Sequence, residues 1–116
     1  MTMRPEVTQH GIVTLVKLRG EIDMANGLNL TDEVLAKMPD SSRGLVADLS
    51  DLRYLDSAGI RMLFEIAKHL GLRDLPLAIA LPESSVLRSV LKMTHVETVA
   101  GVFATADEAI ASIAHD

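Results

Sequence analysis

Ser57 stands where a hydroxyl is well placed to do something specific, at the junction between an apolar run and an amphipathic segment. The run, Leu45-Val46-Ala47-Asp48-Leu49, reads as a buried strand. Ser50-Asp51 reads as a polar turn, and Leu52 to Leu55 lead into Asp56-Ser57-Ala58-Gly59. Beyond it Ile60, Leu63, Phe64, Ala67 and Leu70 recur at the spacing of one helix face, with Leu63 and Phe64 expected to be nearly inaccessible. Gly71 is the expected C′ residue that closes the helix. Asp56 and Ser57 each suit the N-cap, because either side chain can accept from free backbone N–H groups. Gly59 is costly in a first helical turn. It implies close approach to the backbone, by a neighbouring element or by a docking partner.

Other chemistries find little footing. Cysteine is absent, which excludes a thiol nucleophile, a disulfide framework and a cysteine-based zinc site, and suits the cytoplasm. His10, His69, His95 and His115 are scattered without metal-ligand spacing, so no metal or other cofactor is expected. Neither G-x-x-x-x-G-K-[ST] nor G-x-G-x-x-G occurs, so nothing cradles a nucleotide phosphate and no enzyme activity is expected. The net charge of −5, with two Phe, one Tyr and no Trp, disfavours nucleic acid. Met1 to Gly11 lacks an apolar signal core, and no apolar run approaches membrane-spanning length; no membrane insertion is expected.

The elements that must position Ser57 follow from periodicity. At 116 residues, 48% hydrophobic and 23% charged, the chain reads as one domain, residues 1–116, with a core of its own. Met3 to Thr8 is a first strand, Gln9-His10-Gly11 a turn, and Ile12 to Leu18 a second strand. Arg19-Gly20-Glu21-Ile22-Asp23 then carries the chain out of the sheet. Met24 to Met38 is a helix with Leu30, Val34, Leu35 and Met38 on its apolar side. Leu77 to Leu81, bracketed by prolines, reads as a strand buried on both faces. Ser84 or Ser85 caps a third helix burying Val86, Leu87, Val90 and Leu91. A loose stretch follows, then a short strand at Val102-Phe103, and Thr105 with Glu108 forms a capping box for a last helix, Ala106 to Ala114. Strands alternating with helices predict an α/β fold with parallel pairing and an antiparallel N-terminal hairpin.

Three blocks together resemble the STAS family, the domain of sulfate transporters and anti-sigma-factor antagonists. They are Arg19-Gly20-Glu21-Ile22-Asp23, Leu45-Val46-Ala47-Asp48-Leu49-Ser50 and Tyr54-Leu55-Asp56-Ser57-Ala58-Gly59-Ile60. The resemblance implies a mixed four- to five-stranded sheet with about four helices packed mainly on one side. In the family's stand-alone bacterial antagonists the serine of Asp-Ser-x-Gly, here Ser57, is a regulatory phosphoacceptor. The unmodified form binds an anti-sigma factor that is also a serine kinase and so frees the sigma factor. Phosphorylation from ATP ends that binding, and a serine phosphatase resets it. Carried over by motif, Glu21 and Asp23 lie on a loop beside Ser57, and Asp56, Ala58, Gly59 and Arg61 complete a partner-facing set. Two departures stand out. Ala58 replaces a second hydroxyl residue common in the family, and Arg61 is a cation one turn into the helix, where the dipole disfavours it. Arg61 has three available roles: pairing with Asp56, neutralising a phosphoserine, or meeting the partner. The alternative function is an unphosphorylated STAS scaffold subunit of a lipid-transport or sensory complex.

Overall fold

The strands pair in the order in which they occur along the chain. A computed structural model describes residues 5–22 and 27–114. β1 (Glu6–His10) pairs antiparallel with β2 (Val13–Ile22), which is followed by α1 (Gly27–Ala36). β3 (Gly44–Leu55), α2 (Ser57–Gly71), β4 (Leu77–Ala80), α3 (Leu87–Met93), β5 (Gly101–Phe103) and α4 (Ala106–Ala114) complete the order, with a 3₁₀ turn at Val96–Thr98. β2, β3, β4 and β5 are parallel to their neighbours in a five-stranded mixed sheet of order β1-β2-β3-β4-β5. Adding parallel strands in one direction through right-handed crossovers puts the connecting helices on one face. Leu30 of α1, Leu63 of α2 and Leu91 of α3 accordingly share one core with Leu18, Leu49 and Ile79 of the sheet. α4 follows the last strand and covers the opposite face, where Ala109 packs with Val13, Val46, Ala78 and Ala80. Leu45 and Ala47 face the first core and Val46 the second, the alternation of a strand covered on both sides.

Several boundaries differ from those expected, each for a physical reason. β2 does not leave the sheet at Arg19 but runs to Ile22. Its register against β3 shifts between Lys17 and Arg19 and again between Gly20 and Glu21. Gly20 has φ +83°, a left-handed conformation that glycine alone adopts without penalty. The chain thus bulges and stays paired. Ser50-Asp51 is likewise strand, not turn, and the Asp48 carboxylate accepts from the Ser50 N–H (3.0 Å) and hydroxyl (2.7 Å) there. β1, at Glu6–His10, runs two residues beyond the expected end at Thr8, and the turn falls at Gly11-Ile12 in place of Gln9-His10-Gly11; Met3 and Arg4 lie outside the described residues. α1 is seen from Gly27, and Met24 to Asn26 also lie outside them.

On α2 the buried face is Gly59, Ile60, Met62, Leu63, Ile66 and Leu70. Met62 and Ile66 take the inward places expected of Phe64 and Ala67, which are only partly buried. Gly71 is the last helical residue, and the left-handed residue after the helix is Asp74, at φ +56°. In α3 Leu87 and Leu91 are buried, but Val86 precedes the helix and is 79% exposed. Ser85, not Ser84, makes the contact at that start, its hydroxyl accepting from the Leu87 N–H at 3.2 Å.

Candidate functional site

The junction of β3 and α2 is built from both neighbouring strands. Ile22, the last residue of β2, is paired with Leu55, and its carbonyl accepts from the Asp56 N–H at 3.3 Å. Asp56 has extended backbone (φ −100°, ψ −168°), and its carbonyl accepts the first helical bond from the Ile60 N–H at 3.0 Å. Its carboxylate Oδ1 accepts from the N–H groups of Ala58 (2.9 Å) and Gly59 (3.3 Å). Asp56 is therefore the N-cap, and the choice between Asp56 and Ser57 resolves to the aspartate.

A helix start leaves four N–H groups without intrahelical partners. Here those of Asp56, Ala58 and Gly59 are bonded, as given above. The fourth is that of Ser57, the first helical residue, which is exposed. Neither its N–H nor its hydroxyl bonds to any described residue. Ser57 thus contributes no cap, and its hydroxyl faces solvent at the positive end of a 15-residue helix.

Gly59 is buried, which corrects its expected place among the partner-facing residues. A Cβ there would collide with the Leu55 side chain and sit 3.0 Å from Cγ2 of Ile22. The close approach is internal: the first turn of α2 is pressed onto the ends of β2 and β3. Ala58 is half-buried and Arg61 exposed. Arg61 does not pair with Asp56 and makes no ion pair with any described residue. Glu21 lies on β2, in register with Tyr54, and not on a loop as expected; its side chain is exposed. Asp23 lies outside the described residues. Tyr54, two residues before the cap, is 47% exposed. Tyr54 belongs to the third sequence block but is not among the residues expected to face a partner; its exposure between buried Leu52 and Leu55 becomes evident only in the fold.

Elsewhere the described residues hold no cluster of acids and histidines able to bind a metal ion, and His10, His69 and His95 are exposed. No described helix is long and apolar enough to cross a membrane.

A five-stranded mixed sheet that ties its second and third strands to the capped start of α2 defines a small α/β domain with an exposed hydroxyl at that junction. Across residues 4–109 the sequence matches the STAS domain, and the chain belongs to that family. It is 29% identical over 121 residues to sulfate transporter 3.2 of Arabidopsis thaliana, covering 93% of this chain and 19% of the transporter. The chain thus spans about a fifth of that relative's length. Among solved structures it is similar to an anti-sigma factor antagonist from Mycobacterium paratuberculosis, with TM-score 0.86, 25% identity and 98% and 96% of the two chains covered. It shares its fold with the phosphorylated form of the Bacillus cell-fate determinant SpoIIAA, at TM-score 0.67, 16% identity and 95% and 99% coverage.

Proposed function

We propose that this chain is an anti-sigma-factor antagonist switched by phosphorylation of Ser57. The unmodified form binds an anti-sigma factor that is also a serine kinase, which releases the sigma factor. The kinase transfers the γ-phosphoryl group of ATP to the Ser57 oxygen, the hydroxyl proton is lost and ADP leaves. A serine phosphatase restores the hydroxyl by hydrolysis, and the whole cycle belongs to the cytoplasm. The chain is the substrate in this scheme and not a catalyst.

One observation carries the reading. Ser57 is the exposed residue of the junction whose hydroxyl has no structural work, because Asp56 does the capping. A phosphoryl group there brings about −1.5 to −2 charges and leaves the cap intact. The helix dipole favours it, so the fold should tolerate it. A partner lying over Ser57, Asp56 and Ala58 would not, since like charges brought together across an interface cost several kcal/mol. Exposed Glu21 and Arg61 extend this surface, Asp23 is proposed as a further partner contact from its place in the sequence block alone, and the exposed ring of Tyr54 suits the surface as an apolar contact.

A second reading, a STAS scaffold in a transport or sensory assembly, is favoured by the likeness to a plant sulfate transporter. Co-purification from native cytoplasm with intact-mass analysis separates the two. The switch requires an anti-sigma serine kinase in the complex and a fraction of the chain heavier by one phosphoryl group at Ser57. A transport or sensory partner with an unmodified chain supports the scaffold.

A further inference from the structure

We propose that Arg61 is the counter-cation of a phosphoryl group on Ser57, so that the chain folds its own phosphoserine back onto the first turn of α2. This rests on the reading of Ser57 as phosphoacceptor. Both residues belong to α2, four positions apart, and both are exposed. Side chains at that spacing sit one above the other, and every Cα–Cβ bond leans toward the helix N-terminus, carrying Arg61 back over the turn that Ser57 opens. The acidic group comes first and the base four residues later, the favourable order for such a pair. The guanidinium is free to take the role, since Arg61 pairs with no described residue and the Asp56 carboxylate is committed to two backbone N–H groups. A second donor waits at the same place: the Ser57 N–H is the one of the first four left without a described partner.

The modification makes the charge pattern favourable. Before it, Arg61 is a cation one turn into the helix, on the side of the dipole that disfavours it. After it, the dianion, the dipole and the guanidinium are mutually favourable, and planar guanidinium suits bidentate binding to phosphate oxygens. Held this way, the phosphate has fewer oxygens to offer an arginine of a binding partner. Its net effect at an interface is then repulsion, not a new docking contact.

The test places phosphoserine at position 57 of the full chain by genetic encoding, so no kinase is involved, and follows its second ionisation by phosphorus NMR. That ionisation ordinarily falls near pH 6. With Arg61 present the midpoint should lie about 0.3 in pH below that of Arg61→Gln, and salt of about 0.5 M should remove most of the difference. Lys68→Gln, which removes an exposed cation from the last turn of the same helix, should leave the midpoint unchanged. Equal midpoints for the parent and Arg61→Gln, with both proteins folded by circular dichroism, overturn the proposal. An equal displacement from Lys68→Gln overturns it too. Because the phosphate is placed synthetically, this result is independent of whether cells modify Ser57; failure to find phosphate in cells defeats the functional reading alone.

Discussion

Removing the Asp56 carboxylate should separate the cap of α2 from its exposed hydroxyl. In Asp56→Ala two N–H groups, those of Ala58 and Gly59, lose the oxygen they share at 2.9 and 3.3 Å. Loss of a cap costs about 0.5–2 kcal/mol. The charge near the helix dipole accounts for about 0.3–1 kcal/mol of that. Ala58 is half-buried and Gly59 buried, so the freed donors cannot simply turn to bulk water. The upper half of the range, about 1–2 kcal/mol, is therefore expected. For 116 residues each kcal/mol moves the melting temperature by roughly 3–6 °C. Asp56→Asn keeps the acceptor and loses only the charge, so it should cost about 0.3–1 kcal/mol. Ser57→Ala removes a hydroxyl bonded to no described residue and should fall within about 0.5 kcal/mol of the parent. Urea unfolding of the four proteins, analysed as two-state transitions, gives the differences directly. A loss above about 1 kcal/mol for Ser57→Ala with a neutral Asp56→Ala would assign the cap to the wrong residue.

Other consequences can be checked on the purified chain. Leu63, fully buried in α2, should lose about 2–5 kcal/mol on Leu63→Ala, measured by urea unfolding. Gly20→Ala should lose about 1–2 kcal/mol although nothing stands within 4 Å of the added Cβ, because the cost is the left-handed backbone alone. Incubated with labelled ATP and no kinase, the chain should incorporate no phosphate and release none, a result read by autoradiography and by free phosphate.

The parts legible in the sequence were those that local chemistry decides without help. Leu77 to Leu81 between two prolines allowed only a short strand, and β4 is buried on both faces. Thr105 and Glu108 marked a helix start, and the Thr105 hydroxyl does accept from the Glu108 N–H at 3.1 Å. The parts that escaped depend on three-dimensional neighbours. Arg19-Gly20 looks like a strand exit, and only pairing with β3 shows it to be a bulge. On α2 several residue sets satisfy helical spacing, and the sheet beneath chose Met62 and Ile66 over Phe64 and Ala67. Asp56 and Ser57 are equally good caps by type, and the backbone bond from Asp56 to Ile22 settles which one is half outside the helix. Gly59 announced a close approach, but Leu55 and Ile22 had to be located before that approach proved internal.

The measurement that bears most directly on the switch is calorimetric titration of the anti-sigma serine kinase with two forms of the chain, unmodified and carrying phosphoserine at position 57. Thermal melts of the two forms run alongside, and Ser57→Asp serves as a singly charged intermediate. The expected result is tight binding by the unmodified chain and binding at least about a hundredfold weaker by the phosphorylated one, a difference of about 2.8 kcal/mol. The melts should show the phosphorylated chain folded at least as stably, since the added charge sits at the helix N-terminus. Equal affinity of the two forms, with both fully folded, would contradict the switch and leave the scaffold in its place.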